Sequence, residues 1–279
     1  SDALNYDEYG SCRFAVIFDN DTLKTAVKEW IDNSTSAEFK YGHISDWDVS
    51  QVTSMVNMFK GETTFNEDIS GWDVSNVTNM YAMFYDCTTL QITGIENWNT
   101  NSLVNIQQMF KSTKLLDISF ASWNINSITN LSGFLSGNVS TQPVLSTANY
   151  DATLISWASQ TPQLNIIIDF GNSQYSCDAE AARDTLINIY GWTVNDEGSI
   201  NIVTYDANQA EEGDAPIDTI TYDCGAEVII LNEGNLSKPC FTFNGWNTSV
   251  NGLGTAYAAG ETITISSPIT LYAQWIYDS

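Results

Sequence analysis

Apolar side chains recur in a fixed register through the first half of the chain. Tryptophans stand at Trp47, Trp72, Trp98 and Trp123. Ile44, Ile69, Ile95 and Phe120 precede them, and Val49, Val74, Thr100 and Ile125 follow. The register continues through Val52, Val77, Leu103 and Ile128, then Met55, Met80, Ile106 and Leu131, then Phe59, Phe84, Phe110 and Leu135. Each unit thus carries one apolar stripe that a neighbouring unit has to cover, which is the logic of a repeat array. Within a unit, ISGWDVSNV alternates Trp72 and Val74 with Asp73 and predicts a short strand. Ser75 offers an N-cap, and Val77, Met80 and Phe84 follow at helix-like spacing. The expected fold is therefore an α/β leucine-rich-repeat-like solenoid over 44–140, with four strand–helix repeats of about 25 residues.

An open array exposes apolar surface at both ends, so capping units are expected. Residues 1–43 supply one, with Leu23, Ala26, Val27, Trp30 and Ile31 forming an amphipathic helical stripe. Residues 141–196 supply the other, read as a helix, a strand at Asn165–Asp169, a helix at Ala179–Tyr190 and a strand at Trp192–Val194. Composition shifts near 195–199. From 197 to 279 the chain reads as strands and turns, through INIVTYD, DTITYD, EVIIL, FTFNGWNT, ETITI and ITLYAQW.

Two family resemblances rest on these residues. FNEDISGWDVSNVTNMYAMF resembles the BspA-type leucine-rich repeat of bacterial surface proteins, especially those of Bacteroidota, and the flanks resemble that family's caps. ITGIENWNTNSLVNIQQMF and ISFASWNINSITNLSGFL keep the Trp but lose Asp-Val-Ser. FTFNGWNTSVNGLGTAYAAGETITISSPITLYAQW resembles the Listeria–Bacteroides repeat, an internalin B-repeat-like module, through Gly245-Trp246 and the closing Leu-Tyr-Ala-Gln-Trp. That resemblance implies a small, strand-rich, β-grasp-like domain. Neither family implies catalysis, and both imply an extracellular or cell-surface setting.

Charge narrows the partners. Nine Lys and Arg against 34 Asp and Glu give a net charge of −25. Such a chain repels phosphate backbones and anionic head groups, which argues against nucleic acid and direct membrane insertion. No stretch reaches the ~18 apolar residues a spanning helix needs. The polar N-terminus lacks a signal region, so a processed or excised piece is expected.

Candidate chemistry is sparse. One His, no CxxC and no HExxH leave no His-based zinc site and no nucleophile–base pair around His43. Of five cysteines, Cys224 and Cys240 share the C-terminal module and are the disulfide candidates, with Cys87 read as a free buried thiol. If Trp and Val point inward, then Asp46, Asp48, Asp73, Asn97, Asn99, Ser122 and Asn124 point outward and form a candidate ligand face. Adjacent strands about 4.8 Å apart would set Asp48 beside Asp73. A weakly held Ca²⁺ or the hydroxyls of a glycan would relieve that repulsion, and no other cofactor is expected. Ser54, Asn79, Asn105 and Asn130 form a second polar ladder, read as satisfying backbone groups at turns. The tripeptides Asp-Thr-Leu and Asp-Thr-Ile place candidate O-glycosylation sites of the Bacteroidota type at Thr22, Thr185 and Thr219. The favoured function is non-catalytic adhesion or ligand binding, with a surface glycan or an extracellular protein as partner. A self-associating subunit of a filament or sheath, or an accessory module of a larger secreted protein, is the alternative.

Overall fold

The computed structural model describes residues 4–6, 12–14, 16–113, 117–137 and 144–278. The expected first cap at 1–3, 7–11 and 15, and the junction of repeats and closing segment at 138–143, therefore lie in part outside the described residues. The chain forms two compact units, one of residues 1–174 and 181–197, the other of 175–180 and 198–279.

In the first unit, β1 (Leu4–Tyr6) and β2 (Cys12–Phe14) pair antiparallel. Helix α1 (Asn20–Asp32) starts at a reciprocal cap: Asp19 Oδ1 accepts from the Thr22 N–H, and the Asp19 N–H donates to Thr22 Oγ1. Its stripe of Leu23, Ala26, Val27 and Trp30 is buried. Helix α2 (Ser34–Tyr41) follows directly, capped by Asn33.

The strand–helix solenoid is not what this sequence builds. Among the described residues from 44 to 137 there is no α-helix and no strand of more than one residue, only two 3₁₀ turns at Ile44–Asp46 and Ile95–Asn97, open turns and isolated bridges. Among the described residues the architecture is a mixed α/β fold with four helices and four small sheets, and the leucine-rich-repeat assignment falls with the solenoid. The physical reason lies in where the backbone N–H groups go. The Met55, Asn57, Phe59 and Gly61 N–H groups donate to the carbonyls of Asn79, Tyr81, Met83 and Tyr85 at 2.7–2.9 Å, in the next turn of chain. The intervening N–H groups close three-residue turns, as Met58 to Met55 and Lys60 to Asn57 do. None of these donors is free for a helical i to i−4 ladder. Two left-handed residues per turn make this path possible, at Asn57, Ala82, Gln108 and Gly133, and at Gly61, Asp86, Ser112 and Gly137.

Apolar residues about three apart therefore mark corners of tight turns, a spacing nearly the same as one helical turn. The inward set is fully packed: Trp47, Val49, Trp72, Val74, Trp98, Trp123 and Ile125 are all buried. Phe84 stacks between Phe59 and Phe110, with centroids 5.4 and 5.5 Å away. The Trp72 and Trp123 ring N–H groups donate to the Ile44 and Ile95 carbonyls, whereas the buried Trp98 Nε1 has no partner.

The unit closes with α3 (Thr147–Ala158), β3 (Ile167–Asp169), residues 181–188 of α4 (Cys177–Asn188) and β4 (Thr193–Asn195), with β3 and β4 parallel, while the first turn of α4 belongs to the second unit. β3 joins the turns through a bridge from Leu131 to Ile168. Arg183 grips Asp196 with two hydrogen bonds of 2.8 and 3.0 Å, and the Tyr150 hydroxyl donates to the same carboxylate at 2.6 Å.

In the second unit, β5 (Val203–Asp206), β6 (Glu227–Ile229), β7 (Phe241–Asn247), β8 (Ala256–Tyr257), β9 (Thr262–Thr264) and β10 (Ile269–Tyr277) form two sheets. One has the order β5-β10-β7-β8, with β5 and β10 parallel, and the other pairs β6 with β9. The β-grasp expectation is corrected here too: among the described residues from 198 to 278 no helix lies across either sheet. Val203, Tyr205, Val228, Trp246 and Leu271 form the core instead. DTITYD is not a strand, because the Asp218 side chain takes the Ile220 N–H at 3.0 Å and the Tyr222 hydroxyl at 2.6 Å.

The disulfide expectation is corrected as well. Cys224 bonds Cys177, 5.5 Å away between Cα atoms, and Cys240 is free and exposed. Cys177 opens α4 beside the segment that carries Cys224, a juxtaposition that chain proximity did not signal. Cys87 is free and buried, and its burial pushes the thiol up to about 12.

Candidate functional site

The outward polar positions of the turns form ladders whose first duty is local. Asp48, Asp73, Asn99 and Asn124 share one register position, and each accepts a hydrogen bond from the backbone N–H two residues on, at 3.0–3.2 Å. This Asx turn bends the chain after each tryptophan. His43, Asp68 and Ser119 do the same at a second position. Asn79, Asn105 and Asn130 do it at a third, where Ser54, Asn79, Asn105 and Asn130 are bridged in parallel. His43 is therefore a turn residue, with its Nδ1 also 2.8 Å from Ser45 Oγ and its ring edge-on to Trp30.

Asp46, Asp73, Asn97, Asn99 and Ser122 are exposed, and Asp48 and Asn124 are half-buried. Asp46 accepts from Ser45 Oγ, and Asn124 Nδ2 donates to Asn101 Oδ1 at 2.8 Å. Asp48 and Asp73 are register neighbours, but each commits one oxygen to its own turn. Hydrogen bonds from the Ser75 hydroxyl and N–H hold the Asp73 carboxyl below its usual range. Among the described residues, no three His, Cys, Asp or Glu side chains gather closely enough to hold a metal ion.

The glycosylation candidates differ in hydroxyl engagement. Thr22 Oγ1 donates into the α1 cap and Thr185 Oγ1 donates to the Ala181 carbonyl at 2.8 Å. Thr219 is exposed. A polarity argument about outward Asp and Asn overlooks Lys60, Tyr85 and Lys111, which share one register position beside the left-handed residues. Their common distance from Trp47, Trp72 and Trp98 is the sequence signal that locates them.

Residues 25–148 match the family model described as Mycoplasma protein of unknown function, DUF285. Residues 202–274 match the Listeria-Bacteroides repeat domain. Two relatives come from Evansella cellulosilytica, one named as a membrane protein and one as a Gly-rich membrane protein. They are 37% and 38% identical to this chain over 86 residues, which is 30% of the chain. The matched stretch spans only 12% and 9% of those relatives' own lengths. No solved structure matches. Among the described residues, no helix is long and apolar enough to cross a membrane. Taken together, these likenesses support a bacterial repeat protein associated with the cell envelope or surface.

Proposed function

We propose that this chain is a non-catalytic attachment protein of the bacterial cell surface, of the BspA-like kind, that presents its turn face to a glycan or an extracellular protein. The observation that carries this reading is the match of separate stretches, in the two compact units, to two repeat models of surface proteins. The geometry supports it in one respect. The conspicuous polar side chains are occupied in shaping turns, and the exposed edges of Asp46, Asp73, Asn97 and Asn99 remain open to a partner.

A glycan and protein array probed with the whole chain tests the proposal. Binding should appear and should fall when Asp46 and Asp73 are both changed to Asn, which keeps the turn acceptor at position 73 and removes charge. An array with no ligand, or a ligand bound equally by D46N/D73N, would sink this face as the site. Calcium belongs to the same reading as a weak ligand of Asp48 and Asp73. A melting temperature that does not move with added CaCl₂ would remove it.

A further inference from the structure

In a chain of net charge −25, neighbouring lysines that form no ion pair are informative. Lys28, Lys40 and Arg183 each lie in an ion pair. Lys60 and Lys111 have no ion-pair partner among the described residues. They occupy one register position in alternate turns, and Tyr85 occupies it in the turn between. Backbone hydrogen bonds fix the strip: the Gly61 N–H donates to the Tyr85 carbonyl at 2.7 Å and the Asp86 N–H to the Lys111 carbonyl at 3.0 Å. Lys60 Nζ stands 4.7 Å from the Tyr85 ring centroid and Lys111 Nζ 5.7 Å from it. Lys60 is exposed, and Tyr85 and Lys111 are half-buried.

We propose that the Lys60–Tyr85–Lys111 strip is a binding site for an acidic polysaccharide in which a carboxylated sugar alternates with a neutral one. Neighbouring turns lie about 4.8 Å apart, so cations two turns apart project at intervals of about 10 Å. An alternating acidic polysaccharide repeats its carboxylate on a comparable length. The Tyr85 ring attracts both ammonium groups, which keeps them over the strip. Charge density selects against other polyanions. Duplex DNA, with one charge per ~1.7 Å, would meet the acidic remainder of the surface along its whole length. A sparse polyanion engages the two lysines and otherwise offers hydroxyls and neutral rings. Glu62 and Asp86 flank the strip in sequence but form no ion pair with either lysine, and carboxylates farther than about 8 Å are screened at physiological salt. This site is distinct from the Asp and Asn ladder and stands or falls separately from it.

Calorimetry of the full chain with hyaluronate oligosaccharides, neutral dextran and polyphosphate tests the proposal. Hyaluronate should bind, dextran should not, and the affinity should drop as salt is raised. K60Q/K111Q should weaken hyaluronate binding by about tenfold or more, as expected for two lost charge-assisted contacts. K60R/K111R should retain it, and D46N/D73N should leave it unchanged. Tyr85→Ala should weaken binding severalfold with both lysines present. Melting temperatures within a degree or two of the parent would show that the surface variants fold. The proposal is overturned by absence of hyaluronate binding, by equal binding of dextran, by tighter binding of polyphosphate, or by a K60Q/K111Q variant that binds like the parent.

Discussion

Breaking the Cys177–Cys224 bond should destabilise the second unit, and the size of the effect can be worked from the structure. The bond closes a loop with a sequence separation of 47. Loop-closure entropy for that length corresponds to about 4 kcal/mol of stability at 25 °C. Asn201 modifies this figure. It is fully buried, its Nδ2 lies 3.2 Å from both sulfurs, and its Oδ1 has no hydrogen-bond partner. A serine oxygen at either position could accept from Asn201 Nδ2, as the sulfurs do, and recover about 1 kcal/mol. C177A/C224A should therefore lose about 4 kcal/mol and C177S/C224S about 3 kcal/mol. Cys240→Ser should change nothing, because Cys240 is exposed and unbonded. Hydrogen exchange read by mass spectrometry over β5 and β10 measures the loss where it is expected, without assuming that the two units unfold together. Retention of protection in the alanine pair to within about 0.5 kcal/mol would refute the reasoning. So would a non-reducing peptide map that joins Cys240 to another cysteine.

Three further outcomes follow from the turns. Phe84→Ala removes a fully buried ring from between two stacked neighbours and should cost about 3–5 kcal/mol in urea unfolding, whereas less than about 1 kcal/mol would mean the stack carries little. Asp86 holds a left-handed backbone at a register position that Gly61 and Gly137 occupy in other turns. Asp86→Gly should therefore stabilise by up to about 1 kcal/mol, and a clear loss in the melt would contradict the strain argument. Asp73 has a folded pKa lowered by hydrogen bonds from Ser75. Its contribution is therefore present above the unfolded value of 3.8 and is lost as pH falls through the lower folded value. Asp73→Asn should abolish that part of the acid sensitivity below about pH 4, and identical acid unfolding profiles for the two proteins would refute it.

How far the site could be read from sequence depends on which forces are local. Asp48, Asp73, Asn99 and Asn124 were legible as a ladder because they share the tryptophan register. Their hydrogen bonds to the backbone two residues on follow from Asx chemistry that any sequence shows. The meaning of Lys60 and Lys111 was not legible. Their register is visible, but the absence of a carboxylate partner among the described residues is a fact of three dimensions.

The amino-acid sequence by itself determined which side chains are buried. A tryptophan or phenylalanine recurring in register has to leave water, and Trp47, Trp72, Trp98, Trp123, Phe59, Phe84 and Phe110 all do. It also determined α1, whose cap and apolar stripe are local and sufficient. Only the tertiary structure decided what backbone carries those side chains. Spacings near three suit helical turns and tight turns alike, and the choice turned on whether each N–H met a carbonyl in its own segment or in the next turn. The same holds for the disulfide: Cys224 pairs with Cys177 and not Cys240 because the fold places their Cα atoms 5.5 Å apart. Burial follows from composition and register, whereas partners of hydrogen bonds and cysteines are settled by distances that exist only once the chain has folded.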